Sequence, residues 1–286
     1  MDERAALALI DGTLPAAGDD AAVVDDLVVT TDMLHETTDF PAGTTRYTAG
    51  WRAVAASLSD VAAMGAEATC AVAVYAAPAF DPDDLEAFLD GAREVCASVD
   101  AEYVGGDLDD HEEFTVATTA IGRTEDPVMR AGASPGEAVC VTGTLGRTAA
   151  AVRLFPEDPE RANELFRFEP RVAAGRALAA HASSMMDSSD GVARSLHQLA
   201  EASGCGFAVE GGALPVHPAV ESVAEDDADD RELAVHYGED FELVFTTADP
   251  AAARAAAPTP VTVLGEVTDD GVTIDGESLP DRGYTH

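Results

Sequence analysis

Two α/β domains with mixed sheets, an α+β architecture, are predicted by three features of the chain. Strand-like and helix-like stretches alternate in two successive rounds along the 286 residues. Between the rounds, RTEDPVMRAGASPGE at 123–137 is polar and turn-rich, dividing the chain into 1–126 and 127–286. Hydrophobic residues make up 47%, enough for full cores and too many for a disordered chain.

The elements run in order. AAVV (21–24) and LVVTTD (27–32) are apolar strand runs on either side of Asp25-Asp26, a hairpin pattern. From Thr44 to Met64 the residues Trp51, Val54, Leu58 and Val61 recur at helical spacing, and Gly65 supplies a stop. TCAVAVYAA (69–77) returns to strand character. Asp81-Pro82 then opens a helix with Leu85, Phe88, Leu89, Ala92 and Val95 on one face. Short strands are expected around 101–104 and 114–122. In the second round EAVCVTG (137–143) is a strand, and helices fall over 146–155, 159–167 and 170–181. MMDSSDG (185–191) reads as a turn leading into the helix VARSLHQLAEA, while FELVFTT (241–247) and VTVLGEV (261–267) are strands. EDDADDRE (225–232) reads as a solvated loop, without the glycine and the terminal-glutamate spacing of an EF-hand.

Charge excludes several function classes. There are 54 acids against 16 bases, a net charge of -38, and every base is arginine. Without lysine there is no Walker A loop, Schiff base or lysine general base. Nothing neutralises a run of phosphates, so no nucleic-acid partner is expected. Such acidity suits a salt-rich environment, where the Debye length falls to about 3 Å at 1 M salt. No apolar run approaches the ~20 residues of a membrane span, so no membrane partner is expected. MDERAALALI puts acids before a short apolar stretch and does not read as a signal peptide. Cys70, Cys96, Cys140 and Cys205 lie far apart with no CxxC pair, which suits a reducing cytoplasm.

The informative acids stand beside small residues at the ends of apolar strands. A two-residue turn at Asp25-Asp26 sets Val24 opposite Leu27, and the same register continued sets Asp19 opposite Asp32 and Asp20 opposite Thr31. Opposed like charges about 5 Å apart are destabilising unless a cation lies between them. Hard oxygen donors with no His or Cys nearby point to Mg²⁺. Asp60 in SLSDVAAMG interrupts an apolar stripe near a helix C-terminus, where the macrodipole disfavours an anion. Asp107 ends the VGGD turn, and Asp187 and Asp190 flank MDSSDG, Asp190 also suiting a helix N-cap. VTGTLG (141–146) joins strand to helix through two glycines whose amides suit a phosphate, and Arg130 is a rare cation suited to the same ligand. The seven histidines form no HExxH and no GxSxG elbow is present. From the residues alone, the reading is a two-domain α/β protein with a multi-carboxylate magnesium site that handles phosphates.

In order, AGDDAAV, VTTDML, SLSDVAAMGA, VGGD, RAGASPGE, VTGTLG, MDSSDG, YGEDFELVFT and the terminal RGY run from residue 18 to 284. This series resembles the thiamine-monophosphate kinases, in the superfamily of aminoimidazole ribonucleotide synthetase and selenophosphate synthetase. The resemblance implies a synthetase-like two-domain fold and ATP-dependent phosphorylation of thiamine monophosphate to thiamine diphosphate. It implies a homodimer through the N-terminal sheets, with 1–126 carrying metal, ATP and dimer contacts. By position, Asp20, Thr30, Thr31, Asp32, Asp60, Asp107, Asp187 and Asp190 resemble the family's magnesium ligands. Gly106, Asp107, Arg130 and Ser189 resemble its ATP contacts, with Asp32 and Arg130 the catalytic pair. Glu239 and Tyr284 resemble acceptor contacts, as does position 39, where the family's histidine is Asp39 here. Arg52 and Ser57 stand where lysine and asparagine are usual, and Arg147 where an acid is usual. A selenophosphate synthetase needs an N-terminal Cys or Sec segment, which is not visible. A non-catalytic nucleotide- or magnesium-binding module would not need the acids retained at all the strand ends.

Overall fold

The computed structural model describes residues 13–14 and 17–284; the segment Met1–Ile10 lies outside them. Residues 22–123 build a five-stranded sheet of β1 (Ala22–Val24), β2 (Leu27–His35), β3 (Glu67–Ala77), β4 (Glu102–Asp110) and β5 (Thr115–Arg123), in the order β1-β2-β5-β3-β4. The β1–β2 hairpin has the expected register, Val24 opposite Leu27 and Ala22 opposite Val29, with Asp25 in the left-handed conformation of the turn (φ 57°). The ladder ends at Ala22, so Asp19 and Asp20 do not face Asp32 and Thr31. Residues 18–21 instead bend away, and Asp19 accepts from the main-chain N–H of Arg130 (3.0 Å).

Among the described residues, three helices belong to this half: the single turn α1 (Glu36–Asp39), α2 (Arg46–Ala63) and α3 (Pro82–Ser98). Thr45 caps α2 by accepting from Thr48 N–H, and Asp81 caps α3 by accepting from Asp83 and Asp84. α2 and α3 cross tightly because of paired glycines. A Cβ on Gly50 would stand 2.2 Å from Phe88 O, and one on Gly91 2.1 Å from Tyr47 O. Both helices cover one face of the sheet, and α2, rich in alanine, is buried on nearly all sides. The opposite face carries a row of directly paired residues, Met33, Ala117, Val74 and Asp107, in which Met33 and Val74 are exposed. β4 runs through VGGD, so the expected turn is strand: the parallel pairing with β3 continues from Gly105 to Asp110.

Residues 138–278 build a seven-stranded mixed sheet in the order β12-β11-β8-β10-β6-β9-β7. Its strands are β6 (Ala138–Thr142), β7 (Ser184–Asp187), β8 (Gly206–Val209), β9 (Leu243–Thr247), β10 (Val261–Thr268), β11 (Val272–Ile274) and β12 (Glu277–Ser278). The helices are α4 (Arg147–Leu154), α5 (Pro159–Phe166), α6 (Val172–Leu178), α7 (Val192–Ser203), α8 (Asp227–Val235) and α9 (Pro250–Ala256). Two expectations are corrected here. Ser184–Asp187 is an edge strand paired with β9, and the turn is confined to Ser189 and Asp190. Most of the acidic stretch at 225–232 is helix: Asp226 caps α8, first-turn acids suit its N-terminus, and Leu233, Ala234 and Val235 are buried.

One apolar core joins the halves. Leu58 and Val61 of α2 belong to the same buried cluster as Phe166, Leu178 and Met185 from the second half. α2 thus brings its acidic last turn against β7.

Candidate active site

Asp20, Asp60 and Asp187 converge from the 18–21 bend, the last turn of α2 and the end of β7. Each offers a carboxylate oxygen, and these atoms lie within 4.8 Å of one another. Hydroxyls fix them: Thr30 Oγ1 donates to Asp60 (2.5 Å) and Ser59 Oγ to Asp187 (2.6 Å). The Ser189 N–H also donates to Asp187 (3.1 Å). Asp32 stands beside the group, accepting from Ser57 Oγ (2.6 Å). Arg130 closes the other side, its Nη2 3.0 Å from Asp20 Oδ1.

The electrostatics show what such packing costs. Burial, then the Asp20 charge, push Asp187 up to about 7. Burial, with Asp32, Asp187 and Asp20 behind it, holds Asp60 well above the usual carboxylate range. Asp19 rises to about 6 through burial and Asp20. Burial opposes the charge on Arg130, and Asp20 more than compensates, so its pKa is raised. Close like charges with hard oxygen donors fit a divalent cation such as Mg²⁺, and Asp20, Asp60 and Asp187 are the residues that would hold it.

Other candidates stand apart from this group. The Thr31 side chain is exposed and its hydroxyl donates to Thr118 O (2.8 Å), while its neighbours Thr30 and Asp32 point toward α2. Gly106 and Asp107 lie on the edge strand β4, three strands from β2, and Asp107 Oδ1 accepts from Leu108 N–H. The cap position of α7 is Gly191, so Asp190 is not the N-cap; its carbonyl accepts from Tyr284 N–H (3.0 Å).

A second cluster surrounds the segment 238–242. Glu239 (φ 61°) and Phe241 (φ 55°) are both left-handed, a costly backbone for residues with side chains. Several contacts hold it. Glu239 N–H donates to Ser189 O (2.6 Å), Thr148 Oγ1 donates to Glu239 O (2.6 Å), and Phe241 stacks on Phe168 (4.2 Å between centroids). Arg52 Nη2 meets Glu239 Oε2 at 2.5 Å. Asp39 is buried and accepts from His35 N–H and Thr38 Oγ1, both at 2.7 Å. Burial, then the charges of Glu239 and Asp39, raise the Tyr284 phenol, whose hydroxyl reaches the carbonyl of Thr38 beside Asp39 (3.4 Å).

The expected phosphate cradle at VTGTLG is corrected. Its amides are taken by the protein itself: Gly143 N–H donates to Pro260 O (2.9 Å) and Leu145 N–H to Pro215 O (2.9 Å), while Asp240 accepts from Gly146 N–H (2.5 Å) and, just beyond the motif, from Thr148 N–H (2.9 Å). Glu242 accepts from Thr144 N–H (3.3 Å) and Thr142 Oγ1 (2.7 Å), and pairs with Arg171 (2.6 and 2.7 Å). Sequence reasoning gave no role to Asp240, Glu242, Arg171 or Thr148. The signal was available in GEDFELVF, where three acids at the mouth of a buried strand require internal partners.

Residues 18–124 match the family AIR synthase related protein, N-terminal domain, and residues 134–276 match AIR synthase related protein, C-terminal domain. The chain is 62% identical over 291 aligned positions to the thiamine-monophosphate kinase of Halobacterium salinarum, covering 100% of both chains. It is 39% identical to that of Methanospirillum hungatei JF-1, covering 100% of this chain and 99% of that one. The structure of AaThiL complexed with AMPPCP and TMP superposes with a TM-score of 0.90 at 29% identity, covering 99% of this chain and 96% of that one. Identity of this extent across both domains means that the chain belongs to the thiamine-monophosphate kinase family, within the AIR synthase related proteins.

Proposed function

We propose that the chain transfers the terminal phosphoryl group of ATP to thiamine monophosphate, forming thiamine diphosphate, where its two halves meet. The observation that carries this reading is the convergent Asp20–Asp60–Asp187 group with Arg130, in a chain 62% identical to a thiamine-monophosphate kinase. Ser189 links this group to the strained segment at Glu239, so the nucleotide end and the acceptor end adjoin. The acceptor phosphate is already an anion, so no strong general base is needed. Arg130, anchored on Asp20, donates to nucleotide phosphate, and Asp32 completes the acidic wall beside it. Glu239, Asp39 and Tyr284 receive the cationic thiamine rings and hold the acceptor in line. Mg²⁺, when bound, supplies charge neutralisation of the phosphate oxygens.

The same reading divides the chain into 1–126, which supplies Asp20, Asp32 and Asp60 to the metal and nucleotide site and the dimer contacts, and a synthetase-like 127–286, which supplies Arg130 and Asp187 to that site. We infer a homodimer through the open face of the first sheet, supported by exposed Met33 and Val74 in one paired row. That face carries Thr31 and Asp107, so covering it with a second copy brings these candidates to an enclosed site that one chain lacks. The -38 charge supports a salt-rich cytoplasm, and all four cysteines are free.

The test is a product assay at ~2 M potassium chloride, where exposed charges are screened. Thiamine diphosphate should form from thiamine monophosphate and ATP, whereas free thiamine, lacking a phosphate to align, should yield no phosphorylated product. Efficient phosphorylation of free thiamine overturns the acceptor assignment. Sedimentation of a monomer under the same conditions overturns the dimer.

A further inference from the structure

The last described residues form a strap across the second half. Leu279 is buried and donates to Val272 O (2.9 Å), while its carbonyl accepts from His197 Nε2 on α7 (2.9 Å). Asp281 pairs with Arg194 of α7 (2.7 Å), and Arg282 pairs with both oxygens of Glu232 on α8 (2.9 and 3.0 Å). Gly283 sets the height of the strap. A Cβ there would stand 2.2 Å from Asp190 O and 3.0 Å from Arg194 Cβ, so any side chain lifts the strand of backbone off the 187–191 loop. Tyr284 N–H then donates to Asp190 O (3.0 Å), and its hydroxyl reaches Thr38 O (3.4 Å) on α1 of the first half. The Tyr284 ring lies 6.3 Å from that of Tyr237, walling a cavity of about 300 Å³ with the end of α8.

We propose that Arg194, Asp281 and Gly283 are positioning residues for acceptor binding, acting through Tyr284. The inference rests on the reading of the chain as a thiamine-monophosphate kinase. A ring fixed before the acceptor arrives spares the entropy of ordering it at binding. The contacts are unequal. Arg282 and Glu232 are both about half exposed, and such a pair contributes little. Arg194 and Asp281 are only a quarter exposed or less, and Gly283 allows the closest approach. Asp20 and Asp60 lie outside these contacts, and the strap meets the loop that carries Asp187 and Ser189 at the Asp190 carbonyl, so a shift of the strap bears first on Tyr284 and the acceptor end.

The experiment is steady-state kinetics on the full chain at high salt, varying acceptor and ATP separately. Gly283→Val should raise the KM for thiamine monophosphate about tenfold while the KM for ATP stays within about twofold. Asp281→Asn, which keeps the side chain's shape and removes its charge pairing with Arg194, should shift the acceptor KM about threefold the same way. Tyr284→Ala should reproduce the Gly283→Val effect, and the double variant should be no worse than Tyr284→Ala alone, because both act through one ring. An unchanged acceptor KM in Gly283→Val, equal rises in both KM values, or additive effects in the double variant overturn the proposal. A wild-type chain that forms no thiamine diphosphate overturns the functional reading instead. The strap is then judged by binding: thiamine monophosphate must raise the melting temperature of wild type more than that of Gly283→Val, and equal shifts overturn it.

Discussion

Arg52 and Glu239 meet inside the protein, Nη2 to Oε2 at 2.5 Å, and the arginine is 1% exposed. The pair ties α2 of the first half to the left-handed segment of the second. Arg52 also donates to Phe166 O (2.7 Å) and lies 3.8 Å over the Phe166 ring. One guanidinium therefore serves a carboxylate, a carbonyl and an aromatic face, which its planar fork permits. The carboxylate proposed to face the acceptor is thereby held in place from the α2 side.

Removing that cation should be expensive. Arg52→Met leaves Glu239 buried without its partner, a change that costs about 3–5 kcal/mol. Arg52→Lys keeps the charge but reaches one partner at a time, so it should fold with a smaller loss and weaker acceptor binding. Urea unfolding with acceptor titrations checks both. Equal stability of wild type and Arg52→Met removes the pair from the account of the fold.

Asp240 offers a second test, through the N–H groups of Gly146 and Thr148 that it accepts. Asp240→Ala orphans both, at about 1–3 kcal/mol for each buried group left unsatisfied. The urea midpoint should fall accordingly. An unchanged midpoint means that water or another group reaches those amides.

The local elements were legible because their signals are local. Thr45 and Asp81 cap their helices, and Asp25-Asp26 turns the hairpin. Asp60 was legible as an anion misplaced on an apolar helix stripe. What failed depended on contacts distant in sequence. Whether Asp19 and Asp20 continue the ladder is decided by Arg130, 110 residues away from Asp20. Whether the VTGTLG amides await a ligand is decided by Asp240, more than 90 residues away. Thr31 and Asp107 carried no sign of facing the open side of the sheet, since that depends on which face α2 covers. Arg52 was read as a replacement for lysine, and its burial against Glu239 is visible only in the fold.

Asp32→Asn should cut kcat/KM by at least about a hundredfold, since an acidic neighbour of the carboxylate group is lost at the point where charge is balanced. The amide still accepts from Ser57 Oγ, so the fold should hold. Removing the charge also relieves Asp60, which Asp32 helps to push up. The melting temperature without metal should therefore stay level or rise. Normal activity in this variant removes Asp32 from the catalytic set.

Stability should fall as pH rises from mildly acid to neutral when no divalent cation is present. Burial and neighbouring charge raise Asp187 to about 7, Asp19 to about 6 and Asp240 to about 6, and hold Asp60 well above its ordinary value. In the unfolded chain these groups titrate near the usual ~3.9 of an aspartate. Between the two values the folded state binds more protons than the unfolded one, so the slope of stability against pH is negative. The loss begins above about pH 4, and the share from Asp19, Asp240 and Asp187 is complete once pH passes the folded value of Asp187, near 7. Asp229 has the opposite sign, because its bonds to Arg153 lower it to about 2, and its contribution is lost only below the usual aspartate range. A cation held by Asp20, Asp60 and Asp187 displaces protons, so the stabilisation from added magnesium should grow across the same interval. Melting temperatures between about pH 5 and pH 8 at ~2 M potassium chloride, with chelator or with magnesium, test both signs. In chelator the temperature should decline with pH, and magnesium should flatten or reverse that decline. A chelator curve that climbs through the interval contradicts the burial of these carboxylates as charged neighbours.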